Sequence, residues 1–390
     1  MRLLLALYEH DRDVRGDMGG FRHAVELAEA WTAAGHEVAI VRPRLGVAEE
    51  PTRSRVVETP IVDRPGLRPL TAYGGLLQGG LREARRLRPD VVYARDMLGP
   101  VPLLLARATG AALVVEVNGD TYAHRRDVRR RSRAHLALVH ALQRLTLRRA
   151  DHVVTVTAGL RDALVARLGL GPGRVTVVGN GANVRRLVPE DAGASRQALG
   201  LDPNAPVVGF VGTFFPYQGV TTLLAAAPAI RRACPGVRFL IVGDGPARDG
   251  WLASARARGV IDACVFPGQV PHAAVGRWIN AMDVAVAPFT AGRGETSPLK
   301  VFDYLACARP VVVSAIPAVV DDARASGGCV EVPPDDPRAL AGTVLELLHD
   351  PERRRRLGEA GRAWVVRERS WEAVAARVLA LCAGAVRAKR

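Results

Sequence analysis

Short apolar runs alternate along the chain with longer stretches in which apolar residues recur every three or four positions. The first apolar run is Leu3–Leu7, an amphipathic stretch begins at Phe21, and a second apolar run covers Val38–Val41. Short runs bounded by turn residues are typical of buried parallel strands, and the longer periodic stretches are typical of helices. We therefore predict that the chain opens as a strand–glycine loop–helix–strand unit of a right-handed parallel sheet.

This alternating pattern occurs twice along the chain. A charged, proline-containing stretch at 184–206 separates the first series of predicted strands and helices from the second. Two such series predict an α/β protein with two Rossmann-like parallel-sheet domains, residues 1–186 and 187–370, facing a cleft that holds the ligand. The end of the chain, Pro351–Arg390, is predicted to be a helical tail.

The candidate for chemistry is the stretch Glu295–Asp303. Ser297 followed by Pro298 is typical of a helix start with proline at the first helical position. Such a start leaves free backbone N–H groups and a partial positive charge, which together favour a phosphate. Lys300 falls in the first turn, and because the chain has only one other lysine, it is a candidate for a further positive charge. The alternative is a capped surface helix with a solvated ion pair.

The composition is that of a soluble globular protein. The 390 residues are 48% hydrophobic and 24% charged, and no window approaches the roughly 18 consecutive apolar residues of a transmembrane helix. The five cysteines are odd in number and widely spaced. That spacing excludes a disulfide framework and a zinc pattern and favours a reducing cytoplasm.

The net charge of +15 is concentrated in the first predicted domain. Residues 1–186 carry 30 basic and 19 acidic side chains, against 24 and 20 in residues 187–390. This excess favours an anionic partner, although an arginine-rich composition can also reflect the base composition of a genome. Nucleic acid is disfavoured because the sequence has no zinc-finger spacing, no RNP-like aromatic cluster and no helix-turn-helix pattern.

The segment His124–Arg133 contains six arginines and leads into an amphipathic helix. Three interpretations stay open for this segment. It could rest on an anionic membrane surface, it could meet an acidic or phosphorylated acceptor, or it could be a solvated face.

Several short motifs, taken in order, make the chain similar to a known family over nearly its whole length. They are Gly19-Gly20, Asn180-Gly181, Gly212-Thr-Phe with Gly219, Gly243-Asp-Gly245, Phe266-Pro-Gly268 and Ser297-Pro-Leu-Lys-Val-Phe. Their order and spacing resemble those of retaining glycosyltransferases of the GT-B fold, in the large family 4 group. The family pattern of two glutamates, with the second eight positions after the first, reads Glu295 to Asp303 here.

The resemblance implies roles for the candidate residues. It assigns a donor-sugar hydroxyl to Glu295 and the nucleotide ribose to Asp303, and it implies that the last helix, 371–390, crosses back to the first domain. The predicted site residues are Glu295, Asn118 and Lys300 for catalysis; Gly19, Gly20, Thr213, Gln218, Gly268, Val270, Ser297, Pro298, Leu299 and Asp303 for the donor; and Asp120 and Arg125 for the acceptor.

The chain departs from the family pattern at three places. Thr213 and Gln218 stand where relatives often carry an arginine and a lysine that neutralise the donor diphosphate, and Asn118 stands where a histidine is common. An asparagine can hydrogen-bond but cannot act as a general base. The second acid is shortened to Asp303. We predict that Lys300 supplies the missing positive charge.

The resemblance implies a retaining, metal-independent glycosyltransferase that needs no cofactor. Its donor would be a nucleotide diphosphate sugar, and its acceptor a small molecule, a natural product or a lipid or glycan carrier. Two alternatives stay open. One is a pseudo-glycosyltransferase that couples a sugar-like ring to an amine, and the other is a nucleotide-sugar-binding subunit without turnover. The expected location is the cytoplasm, at the inner face of the membrane if the arginine-rich segment meets lipid.

Overall fold

The computed structural model divides the chain into two compact units. Unit 1 contains Met1–Asn180 and Trp371–Arg390, and unit 2 contains Gly181–Ser370. The structure describes residues 1–7, 19–44, 52–62, 64, 67–95, 99–119, 132–294 and 297–390.

Unit 1 is built on a parallel sheet. Its described strands are β1 (Arg2–Leu7), β2 (Glu37–Pro43), β3 (Arg55–Thr59), β4 (Val91–Arg95), β5 (Ala112–Val117), β6 (His152–Thr155) and β7 (Val175–Val177). They lie in the order β3-β2-β1-β4-β5-β6-β7, so the direction of strand succession reverses between β1 and β4. The helices that precede unit 2 are α1 (Gly19–Ala33), α2 (Leu67–Leu87), α3 (Pro100–Thr109), α4 (Arg133–Arg149) and α5 (Ala158–Leu168).

Unit 2 repeats this plan. Its strands are β8 (Val207–Val211), β9 (Arg238–Val242), β10 (Cys264–Gly268), β11 (Val284–Ala287), β12 (Val311–Ser314) and β13 (Cys329–Val332). They form a parallel sheet in the order β10-β9-β8-β11-β12-β13, with the reversal between β8 and β11. Its helices are α6 (Ala192–Ala198), α7 (Val220–Ala233), α8 (Arg248–Ala257), α9 (Val275–Asn280), α10 (Leu299–Ala306), α11 (Pro317–Ser326), α12 (Pro337–His349) and α13 (Pro351–Glu368).

The apolar runs of the sequence are the buried strands of these sheets. Leu3–Leu7 is buried throughout, and so is Val284–Ala287. Strands buried on both faces need apolar side chains at every position, because helices cover each side of the sheet. The prediction of an α/β fold with two Rossmann-like parallel-sheet domains is therefore confirmed.

Two local predictions are wrong. Helix α1 begins at Gly19 rather than Phe21, so the paired glycines form its first turn. The supposed linker contains helix α6, whose start is capped by the Asp191 carboxylate accepting from the Ala194 amide. The predicted helical tail is present as two helices, α13 and one that begins at Trp371, and Ser370 between them pairs with Ala182.

The last helix, α14 (Trp371–Lys389), packs on α1 and β5 within unit 1. The Trp31 indole donates to the carbonyl oxygen of Ala375 at 3.0 Å, and Trp371 and Val374 are buried. At its far end, the Lys389 amine donates to a backbone carbonyl oxygen at 2.6 Å. The final twenty residues are therefore part of the core of unit 1.

Candidate active site

Unit 2 collects polar loops at the carboxyl edge of its sheet, where β8 and β11 lie side by side. Ligands bind open parallel sheets at such a reversal of strand order, because the loops on its two sides diverge. The loop after β8 leads into α7 after Gly219, and the loop after β11 leads into α10 at Leu299. Both helices therefore start at the same edge.

Gly219 allows these two loops to touch at the backbone. Its φ is +69°, in the left-handed region, and a Cβ there would lie 1.7 Å from the carbonyl oxygen of Pro288. Beside it, the Thr290 amide donates to the carbonyl oxygen of Tyr217 at 3.2 Å. Only glycine fits this position, since any side chain would push the loops apart.

Lys300 fills the space between the loops. Its amine donates a hydrogen bond to Oε1 of Gln218 and lies 4.1 Å from the centroid of the Phe210 ring. A Cβ on Gly212 would lie 2.8 Å from that amine, so the glycine leaves the room that the lysine occupies. The structure thus brings together Lys300 and Gln218, two of the residues predicted for the diphosphate.

A second cation, Arg293, lies in the same environment. Its guanidinium is 4.2 Å from the centroid of the Phe289 ring, and the Lys300 amine is 5.3 Å from the same centroid. Burial lowers the pKa of Lys300 well below its ordinary value, Arg293 lowers it further, and Asp303 opposes both. A bound anion would reverse this shift, because it favours the charged amine.

The start of α10 differs from the prediction. The first helical residue is Leu299, Pro298 occupies the capping position, and no side chain caps the helix. The Ser297 hydroxyl oxygen is buried, with no hydrogen-bond partner among the described residues. A buried hydroxyl without a partner is costly, so this oxygen is available to a ligand at the helix start.

Tyr304 anchors α10 to the end of β8, and the sequence did not reveal it. Its hydroxyl accepts from the Val211 amide at 2.7 Å and donates to the Val211 carbonyl oxygen at 3.1 Å. Burial raises the pKa of Tyr304, so the hydroxyl keeps its proton. The available sequence signal was a phenolic hydroxyl on the side of the helix that carries its apolar residues, one position after Asp303.

The remaining donor predictions are spread over the same unit. Gly268 ends β10, and Val270 packs against the apolar core of unit 2. Thr213 is exposed in the loop after β8. Asp303 lies on α10, close enough to Lys300 to raise its pKa.

In unit 1 the predicted residues lie at helix α1 and at the end of β5. Gly19 and Gly20 open α1, where backbone N–H groups lack helical partners. Asn118 follows β5 and donates from its side-chain amide to Oε1 of Glu116 at 2.6 Å. Glu116 also contacts the His23 ring on α1. Glu116 and His23 were not among the predicted site residues, although a glutamate inside an apolar run was a signal.

Two family models match this chain. A model described as Glycosyltransferase Family 4 matches residues 18–186, and one described as Glycosyl transferases group 1 matches residues 205–350. The chain is 30% identical to 2-deoxystreptamine N-acetyl-D-glucosaminyltransferase of Streptomyces fradiae over 326 residues, covering 76% of each protein. The chain belongs to glycosyltransferase family 4. It is also 28% identical to a glycogen synthase of Mycobacterium tuberculosis, over 100% of this chain and 96% of that protein.

Solved structures share the GT-B fold of this glycosyltransferase. Sucrose-phosphate synthase of Thermosynechococcus elongatus superposes with a TM-score of 0.76 at 22% identity, over 99% of both chains. The glycosyltransferase WaaG, involved in lipopolysaccharide biosynthesis, superposes with a TM-score of 0.74 at 16% identity, over 98% of this chain and 100% of that one.

Some predicted residues of the glycosyltransferase lie outside the described part of the chain. They are Glu295, Asp120, Arg125 and the arginine-rich residues 124–131, and their assigned roles stay predictions. Across the described ranges, no three His, Cys, Asp or Glu side chains group closely enough to hold a metal ion. None of the helices in those ranges is both long and apolar enough to cross a bilayer.

Proposed function

We propose that this glycosyltransferase moves a sugar from a nucleotide diphosphate sugar to an acceptor with retention of configuration and without a metal ion. The observation that carries the proposal is the Lys300 amine, held on Gln218 beside the start of α10. A helix N-terminus and an amine at the reversal of strand order can together form a binding site for a diphosphate. HepE of Anabaena shares the fold, with a TM-score of 0.74 at 16% identity for the structure solved with UDP and 0.72 at 15% identity for the one solved with UDP-glucose.

The donor is proposed to lie along the carboxyl edge of the unit 2 sheet. Its diphosphate would meet Lys300, Arg293 and the Ser297 hydroxyl, and its ribose would meet Asp303. The base would lie beside Gly268 and Val270, at the end of β10, and Glu295 would hold a hydroxyl of the donor sugar. Thr213, exposed in the loop after β8, would border the diphosphate.

Retention can proceed without a general base on the protein. The bond from the sugar to the diphosphate oxygen breaks, the acceptor oxygen bonds to the same face of the sugar, and its proton passes to the departing phosphate. Negative charge grows on that phosphate as the bond breaks. Positive groups fixed in advance around it lower the barrier most, since they need no rearrangement during the step.

For the acceptor, we propose a small polyhydroxylated ring. The names of two relatives support this class of acceptor. One is the 2-deoxystreptamine N-acetyl-D-glucosaminyltransferase described above. The other is a D-inositol 3-phosphate glycosyltransferase of Segniliparus rotundus, which is 35% identical over 61% of this chain and 53% of that protein. Both names contain a cyclitol. Asp120 and Arg125 are proposed to contact this acceptor.

The test is a matrix of nucleotide sugars and cyclitol or aminocyclitol acceptors, with release of nucleoside diphosphate as the readout. Release that depends on the acceptor, with an unchanged anomeric configuration in the product, is expected. Activity should survive a metal chelator. Tight binding of a nucleotide sugar without release for any acceptor would instead favour the non-catalytic binding subunit.

Binding of nucleoside diphosphate should take up a proton at Lys300. The pKa of the empty site is lowered, and a diphosphate beside the amine raises it again. Between these two pKa values the complex holds one more proton than the free protein, so affinity falls as the pH rises through that window. Below the window the amine is charged in both states, and no uptake is expected.

Calorimetric titrations in buffers of different ionisation enthalpy measure this uptake directly. Lys300→Met is the matched control, because it keeps an unbranched side chain of nearly the same length and removes the titrating group. Equal proton uptake by the two proteins would contradict the prediction, and would assign the linkage to the ligand's own phosphate.

A further inference from the structure

Strand β5 contains one charged residue, Glu116, between the buried Val115 and Val117. Only 2% of the Glu116 surface is exposed. An ionised carboxylate at this depth needs several donors to replace water. Its contacts therefore indicate what it does.

Side chains of the protein surround this carboxylate. The His23 ring nitrogen Nε2 lies 2.9 Å from Oε1 and 3.1 Å from Oε2. The Tyr93 hydroxyl donates to Oε2, and Nε of Arg95 lies 3.3 Å from Oε1 in an ion pair. The Asn118 amide donates to Oε1 at 2.6 Å. Because four protein groups contact its two carboxylate oxygens, Glu116 interacts with neighbouring side chains rather than with a ligand.

These contacts keep Glu116 ionised. Burial alone would raise the pKa of Glu116. The His23 ring, followed by Arg95 and the Tyr93 hydroxyl, opposes burial and holds that pKa well below its usual range. Burial and the nearby carboxylate also raise the pKa of Tyr93 well above its usual value, so the hydroxyl remains a donor.

An ionised carboxylate determines which way the Asn118 amide faces. A carboxylate only accepts hydrogen bonds, so the NH₂ group of Asn118 must point to Glu116 and its carbonyl oxygen must point away. Asn118 lies at the carboxyl edge of the sheet, directly after β5, and β5 pairs with β4 next to the reversal between β1 and β4. Ligands of open parallel sheets bind at this edge.

We propose that Glu116 is a positioning residue that fixes the Asn118 carbonyl oxygen as a hydrogen-bond acceptor for a substrate hydroxyl. The proposal rests on the transferase function above. It explains how an asparagine can stand where relatives often carry a histidine. The Glu116 carboxylate binds the NH₂ group of Asn118, so that only the carbonyl oxygen of the amide is presented to the substrate. Glu116 itself touches no substrate.

Exchange of the two chemical groups tests the proposal. In Glu116→Gln, the new NH₂ group faces donors, and the Asn118 amide can turn over. In Asn118→Asp, two carboxylates oppose each other at hydrogen-bond distance. Each single variant should lose roughly tenfold or more in kcat/KM, the worth of one charge-assisted hydrogen bond.

The double variant Glu116→Gln/Asn118→Asp should recover most of that loss. The new amide at position 116 then donates to the new carboxylate at position 118. The second oxygen of that carboxylate is presented as the acceptor, and the net charge equals that of the wild type. A residue that merely supported the fold would not be rescued in this way. The proposal would be overturned if kcat/KM of the double variant did not exceed that of the less active single variant. It would also be overturned if Glu116→Gln turned over like the wild type.

A second measurement is independent of turnover. The chain has five asparagines, so selective ¹⁵N labelling resolves the Asn118 side-chain NH₂ signal, which Asn118→Ala identifies. Glu116→Gln should shift that signal, and an unshifted signal would overturn the contact even in a protein without transferase activity. If the wild type releases no nucleoside diphosphate while the signal does shift, the proposed function fails and the positioning contact stands.

Discussion

Lys300→Ala is expected to lower kcat/KM about ten- to a hundredfold or more while unit 2 stays folded. A charge-assisted hydrogen bond to phosphate contributes about 1.5–3 kcal/mol, and each 1.4 kcal/mol is about tenfold in rate. The half charge of the helix start cannot replace a full one. Lys300→Arg should recover activity only in part, because the planar fork of a guanidinium presents its donors in a different geometry from an amine.

Lys300→Met separates this role from a structural one. The folded-state pKa of Lys300 lies below its unfolded value, so the folded protein disfavours the charged amine at every pH below about 10.4. The methionine variant should therefore be as inactive as Lys300→Ala and at least as stable as the wild type. Thermal unfolding at neutral pH, alongside steady-state kinetics, measures both.

Gln218→Lys provides the rescue experiment. Because the Lys300 amine already bonds to Gln218, a lysine at 218 would place its own amine in the same space. Adding it to Lys300→Ala should restore part of the lost activity, whereas adding it to the wild type should reduce stability by opposing two amines. Normal turnover of Lys300→Ala with an unchanged donor KM would assign the phosphate to another cation, with Arg293 as the candidate.

Deletion of residues 371–390 is expected to leave unit 1 unable to fold. Helix α14 buries Trp371, Val374 and Val378, and burying each such side chain contributes about 1.5–3 kcal/mol. The sum is comparable with the whole stability of a domain, about 5–15 kcal/mol. The deletion also exposes Trp31, whose indole loses its partner on Ala375. Expression should yield insoluble protein.

Val378→Ala is a milder form of the same experiment. It removes two buried methyl groups, and it should lower the unfolding free energy by about 1–3 kcal/mol while the enzyme remains soluble. Chemical denaturation followed by tryptophan fluorescence measures this change. A soluble, fully active truncation would show that α14 is dispensable.

The elements of this fold were predictable because their signals are local. Runs such as Leu3–Leu7 reveal strands through the periodicity of neighbouring side chains, and the alternation with helices fixes a parallel α/β architecture. Lys300 stood out for a similar reason, since it is one of only two lysines and follows a helix-start pattern. Resemblance to the family then supplied roles for these positions.

The sequence alone therefore determined the two sheets, the presence of a helix near Leu299 and the choice of Lys300 as a candidate, whereas the capping of that helix differed from the prediction. Only the tertiary structure decided which side chains meet. The amine of Lys300 bonds to Gln218 across 82 positions, and Glu116 meets His23 across 93. The periodicity of apolar residues along the sequence does not reveal such contacts. They arise when strands that are distant in sequence place their carboxyl ends at one edge of a sheet. The orientation of the Asn118 amide depends on the same long-range packing.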